Sequence, residues 1–172
     1  MSFVRGEVYN GNIPEFNFVD GITPEPGYVL KGQHMMIVIH NHDSKIHHSR
    51  SVMVIPITSA KAEVQKAQRE GRAVRSAYVE IEKADHPFLD HDSFASTEQM
   101  IAINREWLLP DKVGTITEEK MMEIDFQMIR TNGLQRAVQN IAEAFYEAKM
   151  EAQEAALMAA AGSEEVIKKQ KK

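Results

Sequence analysis

Residues 33–60 read QHMMIVIHNHDSKIHHSRSVMVIPITSA, and the fold turns on how this stretch is taken. Two apolar runs, Met35–Ile39 and Val52–Ile57, flank a polar segment rich in His, Ser and Lys. Both runs are short and rich in β-branched or thioether side chains. That suits buried strands, because a helix needs about 10 or more residues of periodic pattern. The second run ends Pro56-Ile57-Thr58-Ser59, where a proline interrupts ladder pairing and two hydroxyls follow at the strand's rim.

Working outward, Phe3–Asn10 reads as a first strand broken by Gly6, with Val4, Val8 and Phe3 inward. Gly11–Gln33 carries three prolines and four glycines and exceeds the usual connection length. Its Phe16, Phe18 and Tyr28 could offer stacking faces to unpaired bases or pin the loop to the core. Ala60–Arg72 has helix-forming residues and a glycine stop, predicting a short basic helix. Ser76–Glu82 alternates as a strand with one wet face, and Lys83–His91 is a loop. Asp92–Ile103 is a strand bent near Glu98-Gln99, and Asn104–Pro110 a turn or short helix. Thr117 opens a helix with Glu118 and Glu119 in its first turn, where the helix dipole favours acids. Met121, Ile124, Met128 and Ile129 form its packing face, widened by Met122 and Phe126, and Asn132-Gly133 stops it.

Beyond Gly133 the pattern changes. Leu134, Val138, Ile141, Phe145, Ala148, Ala152, Ala155 and Ala159 repeat at alternating steps of four and three, a heptad seam with large side chains first. Either a partner helix or the preceding domain could cover it. The domains expected are thus 1–132, a mainly β domain with α additions; 133–161, the heptad helix; and 162–172, a disordered tail.

The 172-residue chain has no cysteine, no apolar run of membrane-spanning length and no apolar signal core at its N-terminus. These features predict a cytoplasmic protein without disulfides or membrane association. Net charge is −5, yet residues 45–75 hold seven cations against Glu63 and Glu70. That local surplus of five could hold a polyanion, or could be a solvated helix face.

Several stretches, in order, resemble the PemK/MazF family of toxin endoribonucleases. Arg5-Gly6-Glu7-Val8 is similar to the family's opening strand, His34–Ile39 to its second, and Val54-Ile55-Pro56-Ile57-Thr58-Ser59 to its most recognisable signature. Asp92-Ser93, Gln99, Ile101–Leu108, Val113-Gly114 and the helix from Thr117 follow in family order. The resemblance covers roughly residues 3–132. It implies an SH3-like bent β-barrel that dimerises with itself, cleaves single-stranded RNA without metal or cofactor, and is neutralised by a cognate antitoxin. It also implies a catalytic hydroxyl at Thr58 and a catalytic group at His34, where the family carries Arg. Residues 60–75 and 134–172 look like additions.

RNA cleavage of this kind needs a base for the 2′-hydroxyl, donors for the phosphate and an acid for the leaving 5′-oxygen. Imidazole can exchange protons near neutral pH, so His34 is expected as acid/base and Thr58 as a phosphate donor. Lys31, Arg50, Ser59 and Lys61 are the expected substrate-binding residues. His40, His42, His47 and His48, with Asp43, make a metal site conceivable, but a polar loop touching RNA is preferred. His86 and His91 read as surface residues, and Trp107 as a core or lid anchor. A non-catalytic binding module on the same barrel is the alternative; the gyrase-poisoning toxins need a C-terminal Trp that this chain lacks.

Overall fold

The computed structural model describes residues 2–14, 30, 32–41 and 50–170, with side chains to residue 158. The chain divides into two units, Met1–Thr131 and Asn132–Lys172.

The first unit is built on antiparallel strands: β1 Glu7–Ile13, β2 Gly32–Val38, β3 Ser51–Thr58, β4 Tyr78–Ile81, β5 Ser93–Ser96, β6 Ile101–Asn104 and β7 Leu108–Thr115. Their order across the sheet is β4-β5-β3-β2-β1-β7, with β6 also on β3. Helix α1, Lys61–Glu70, follows β3, and α2, Glu118–Thr131, follows β7. The mainly β reading with helical additions therefore holds.

β3 is the pivot. Its first half pairs with β6, from Ser51 opposite Asn104 to Val54 opposite Ile101, and its last residues pair with β5, Ile57 opposite Ala95 and Thr58 opposite Phe94. Pro56 falls in the gap between these partners, where a missing N–H costs no ladder bond on that edge. Changing partners along one strand bends the sheet, as expected of the SH3-like barrel. The bend predicted near Glu98-Gln99 is the 3-10 turn Thr97–Gln99 that separates β5 from β6.

Both faces of β2 and β3 are covered, which explains why their sequences are continuously apolar rather than alternating. Side chains of a strand point alternately to opposite faces. Ile37, Ile55 and Ile57 join Val8, Ile81, Leu89, Met121 and Ile124 in one core, beneath α2. Met36, Val38, Val52 and Val54 join Phe3, Tyr9, Ile103 and Leu108 in a second. Burying each such side chain stabilises the fold by roughly 1.5–3 kcal/mol.

Several expectations change. Gly6 adopts a left-handed φ of 87° and makes a turn before β1 rather than a break within it. Val4 consequently faces solvent while Phe3 is buried. β7 replaces the expected irregular segment after Trp107, pairing Glu7 with Thr115 and Tyr9 with Lys112 through register shifts. Those bulges, and the charges along β7, hide its period from the sequence. On α2 only Met121 and Ile124 are buried; Met122 and Phe126 are exposed, so the packing stripe is narrower than expected.

His86 is the clearest correction. Expected at the surface, it is 1% exposed. Its Nδ1 lies 3.0 Å from the Glu82 carbonyl, and its Nε2 accepts from the Thr117 N–H at 3.2 Å. The two bonds define a neutral ring protonated on Nδ1, tying the β4–β5 loop to the start of α2.

In the second unit, α3 spans Gln135–Gln170. Leu134, Val138, Ile141 and Phe145 are exposed. Among the described residues no helix is long and apolar enough to cross a membrane.

Candidate active site

The site grows from the register of β2 and β3. Met36 lies opposite Pro56 and Val38 opposite Val54. Continued by two residues, this register sets His34 across from Thr58. By alternation, His34 stands on the face of Met36 and Val38, and Thr58 on that of Val52 and Val54. Both therefore open at the rim of the second core. His34 is additionally paired with Gly11 of β1, and Thr58 with Phe94 of β5. Groups carried on paired strands are held more rigidly than groups on loops.

At this rim a cleft of about 410 Å³ is lined by His34, Thr58 and Lys61, together with Leu30, Pro56, Ala60, Ala62, Glu63, Tyr78 and Gln99. Three of the residues predicted to act at the site thus share one cavity. Ser59 instead lines a neighbouring depression of about 350 Å³ with Gln65, Glu80, Asp92 and Phe94; Lys61 borders both. Arg50 lies just before the other end of β3, where its carbonyl accepts from the Arg105 N–H at 2.8 Å. Eight residues of extended chain place it roughly 26 Å along the strand from Thr58, outside this cleft. Lys31 lies outside the described residues, as do Phe16, Phe18, Tyr28, His42, Asp43, His47 and His48. Among the described residues no three acidic or His side chains form a metal-binding group.

The turn after Thr58 is unusual. Ala60 has φ 45° and ψ 28°, making it a non-glycine residue in left-handed conformation among the described ones. Such a conformation costs about 1–2 kcal/mol and gathers at functional sites. The Ala60 N–H donates to Thr58 Oγ1 at 3.2 Å, closing a two-residue side-chain turn. With its oxygen accepting from this N–H, the Thr58 hydroxyl retains its own proton for an incoming acceptor. Ala60 also begins α1, whose Val64 N–H bonds its carbonyl at 2.9 Å. One strained residue thus sets both the hydroxyl and the helix that carries Lys61.

Charge in this region is less available than the sequence count implies. Arg72 pairs with Glu63 and Glu70, each at 2.7 Å, and Arg75 approaches Glu63 and Glu98 at 3.6 Å. Arg75 also lies over the Tyr78 ring, 5.4 Å from its centroid. The Arg72 hydrogen bond, against the opposing effect of burial, and then the Arg75 N–H hold the Glu63 carboxyl below its usual range. Arg72 and Arg75 therefore brace α1 against the start of β4.

Tyr78, Gln99 and Glu63 were not singled out as lining residues by sequence reasoning. Tyr78 occupies the wet side of a short strand, a legible signal for an exposed aromatic; the cleft position of Glu63 depends on how α1 docks.

A bent antiparallel sheet of the SH3-like barrel type, with a polar cleft at the junction of its central strands, defines the class to which this molecule belongs. Residues 9–130 match the family described as PemK-like, MazF-like toxin of type II toxin–antitoxin systems, and the chain belongs to that family. Among solved structures, MazF from Deinococcus radiodurans superposes with a TM-score of 0.52 at 12% identity, over 77% of this chain and 98% of that one. An endoribonuclease bound to its cognate antitoxin from a mycobacterial species gives 0.48 at 17% identity, over 76% and 95%. A MazE–MazF structure from Deinococcus radiodurans gives 0.48 at 13%, over 76% and 95%. Among curated proteins none matches.

Proposed function

We propose that this protein is a toxin endoribonuclease that cleaves single-stranded RNA without a metal, leaving 2′,3′-cyclic phosphate and 5′-hydroxyl ends. The observation that carries the reading is that His34, Thr58 and Lys61 line one cleft in a member of the PemK/MazF-like toxin family. The 2′-oxygen attacks phosphorus and loses its proton as the bond from phosphorus to the 5′-oxygen breaks and that oxygen gains one. His34 acts as acid/base in this exchange. The Thr58 hydroxyl donates to a non-bridging phosphate oxygen, and Lys61 offsets the charge gathering there. Arg50 and Ser59, outside this cleft, contact RNA beyond the bond being broken, and Lys31 is a further cation expected to bind substrate. The working form is a cytoplasmic homodimer restrained by a cognate antitoxin.

Where the family carries a permanently charged Arg, His34 supplies a group able to exchange protons. That substitution is also what favours a second reading, a non-catalytic relative that binds RNA or protein. The deciding experiment incubates purified protein with single-stranded RNA in chelator and identifies the product ends. Acid–base groups contribute typically 10²–10⁴-fold, so His34→Ala is expected to slow cleavage by about that factor. A single phosphate donor contributes about 10²–10³-fold, the loss expected for Thr58→Ala. Absence of cleavage by the natural sequence refutes the enzyme reading; cleavage that survives both substitutions refutes the site.

A further inference from the structure

We infer that α3 is a self-association element, pairing antiparallel with α3 of a second copy of this chain. The inference is independent of the nuclease reading. It starts from exposure: Val138, Ile141 and Phe145 lie on one seam of α3, and Phe145 is 75% exposed. Further along the same seam stand Ala148, Ala152 and Ala155. The seam is thus large in its first half and small in its second, and this asymmetry selects the partner.

In an antiparallel pair, each large side chain meets an alanine: Val138 faces Ala155, Ile141 faces Ala152 and Phe145 faces Ala148. Every layer then joins one large side chain to one alanine, so the helices can keep a more even separation than in a parallel pair. A parallel pair would stack Val138, Ile141 and Phe145 each on its own copy in the first half of the seam and alanine on alanine in the second. Helix separation follows side-chain size over about 8–10 Å, so a parallel pair would have to taper or leave voids. Self-complementarity of this kind is what a two-fold contact between identical chains requires.

The flanking positions agree. In the antiparallel register Glu151 borders Ala144 of the other helix, and Lys149 borders Ala142, so no like charges meet across the seam. A second set of exposed apolar residues, Tyr146, Met150 and Leu157, does not compete. It is interrupted by Gln153 and preceded by Glu143 and Gln139.

The absence of cysteine makes the register directly testable. Full-length Val138→Cys and Ala155→Cys variants are prepared separately, mixed under conditions of subunit exchange, and treated with a short thiol-specific cross-linker. Both positions are exposed, so neither substitution disturbs a packed core. Antiparallel pairing predicts that the mixed 138–155 product dominates. Each variant alone should link poorly, because two copies of residue 138 would lie roughly 25 Å apart along the helices. Efficient linking of Val138→Cys to itself would overturn the orientation. No linking in any sample would overturn the pairing itself. Phe145→Glu, introduced into both variants, should abolish the mixed product; its persistence would also count against the seam.

Discussion

Replacing His86 by Phe isolates the hydrogen bonds that join the β4–β5 loop to α2. Phe keeps a ring of similar outline but removes both nitrogens, leaving the Thr117 N–H without its partner, while the Glu82 carbonyl keeps the Asp85 and His86 N–H groups at 3.3 and 3.1 Å. An orphaned buried group costs about 1–3 kcal/mol. Thr117 is itself exposed and water can reach part of that gap, which places the loss at about 1–2 kcal/mol. Small domains have about 5–15 kcal/mol in total, so the loss is a large share. In urea titrations followed by Trp107 fluorescence, a slope of about 1–3 kcal/mol per molar converts a loss of about 1.5 kcal/mol into a midpoint lowered by about 0.5–1.5 M. His86→Gln can still present an oxygen to the Thr117 N–H and should recover part of the loss. A midpoint for His86→Phe within experimental scatter of the parent would refute the reasoning: the ring would then be filling space and the two bonds would be incidental.

Gly114 lies under Phe88, and a Cβ there would sit 2.2 Å from the ring; Gly114→Ala should destabilise by about 1–3 kcal/mol, with less additional cost in a Phe88→Ala background, as a double-mutant cycle in urea would show. Tyr9, buried and donating to Glu7, has its phenol pushed up from 10.0 to about 12 by burial first and then by that carboxylate. A raised folded-state value gives stability that is complete below pH 10 and lost as pH approaches 12; Tyr9→Phe should remove this alkaline component from thermal melts, and an unchanged alkaline slope would contradict it. For Glu7, burial opposes the charged form, but the Val4 N–H, Tyr9 hydroxyl and Lys112 ammonium outweigh it and lower the pKa. Its contribution is therefore present above the ordinary carboxylate value and fades as pH falls through the lowered one, so Glu7→Gln should flatten the acid limb of a stability–pH curve.

The central strands were legible because burial on both faces writes an unbroken apolar run into the sequence. α2 was legible because Thr117, the first-turn acids and Gly133 mark its ends. His34 and Thr58 could be nominated from a resemblance, but their convergence depends on a β2–β3 register that no local pattern specifies. β7 was obscured because its bulged pairing with β1 leaves Pro110, Asp111 and Lys112 in a strand, residue types that ordinarily mark a loop. His86 was misread for a related reason: the sequence around it, Asp85-His86-Pro87, is loop-like, and only the return of the chain at Thr117 supplies its second partner.

Charge shows most clearly why composition could not describe the site. The surplus between residues 45 and 75 looked like a single basic surface. In the folded chain Arg72 and Arg75 lie against Glu63, Glu70 and Glu98, and their energetic role is to hold the α1 insertion in place. Arg50 is far along β3, leaving Lys61 as the cation among the described lining residues of the cleft. On the proposed reading, a site with one such cation beside an imidazole holds phosphate less strongly than a cluster of arginines would. Imidazole as a side-chain type can, however, exchange protons near neutral pH, which a guanidinium does not do. On the same reading His34→Arg trades proton transfer for charge stabilisation and is expected to lower cleavage, even though Arg is the residue the family resemblance implies. The cleft is built around the residue it contains: the strained Ala60 turn sets Thr58, and α1 supplies Lys61 from an insertion braced by its own ion pairs. Its chemistry is best understood as that of this combination.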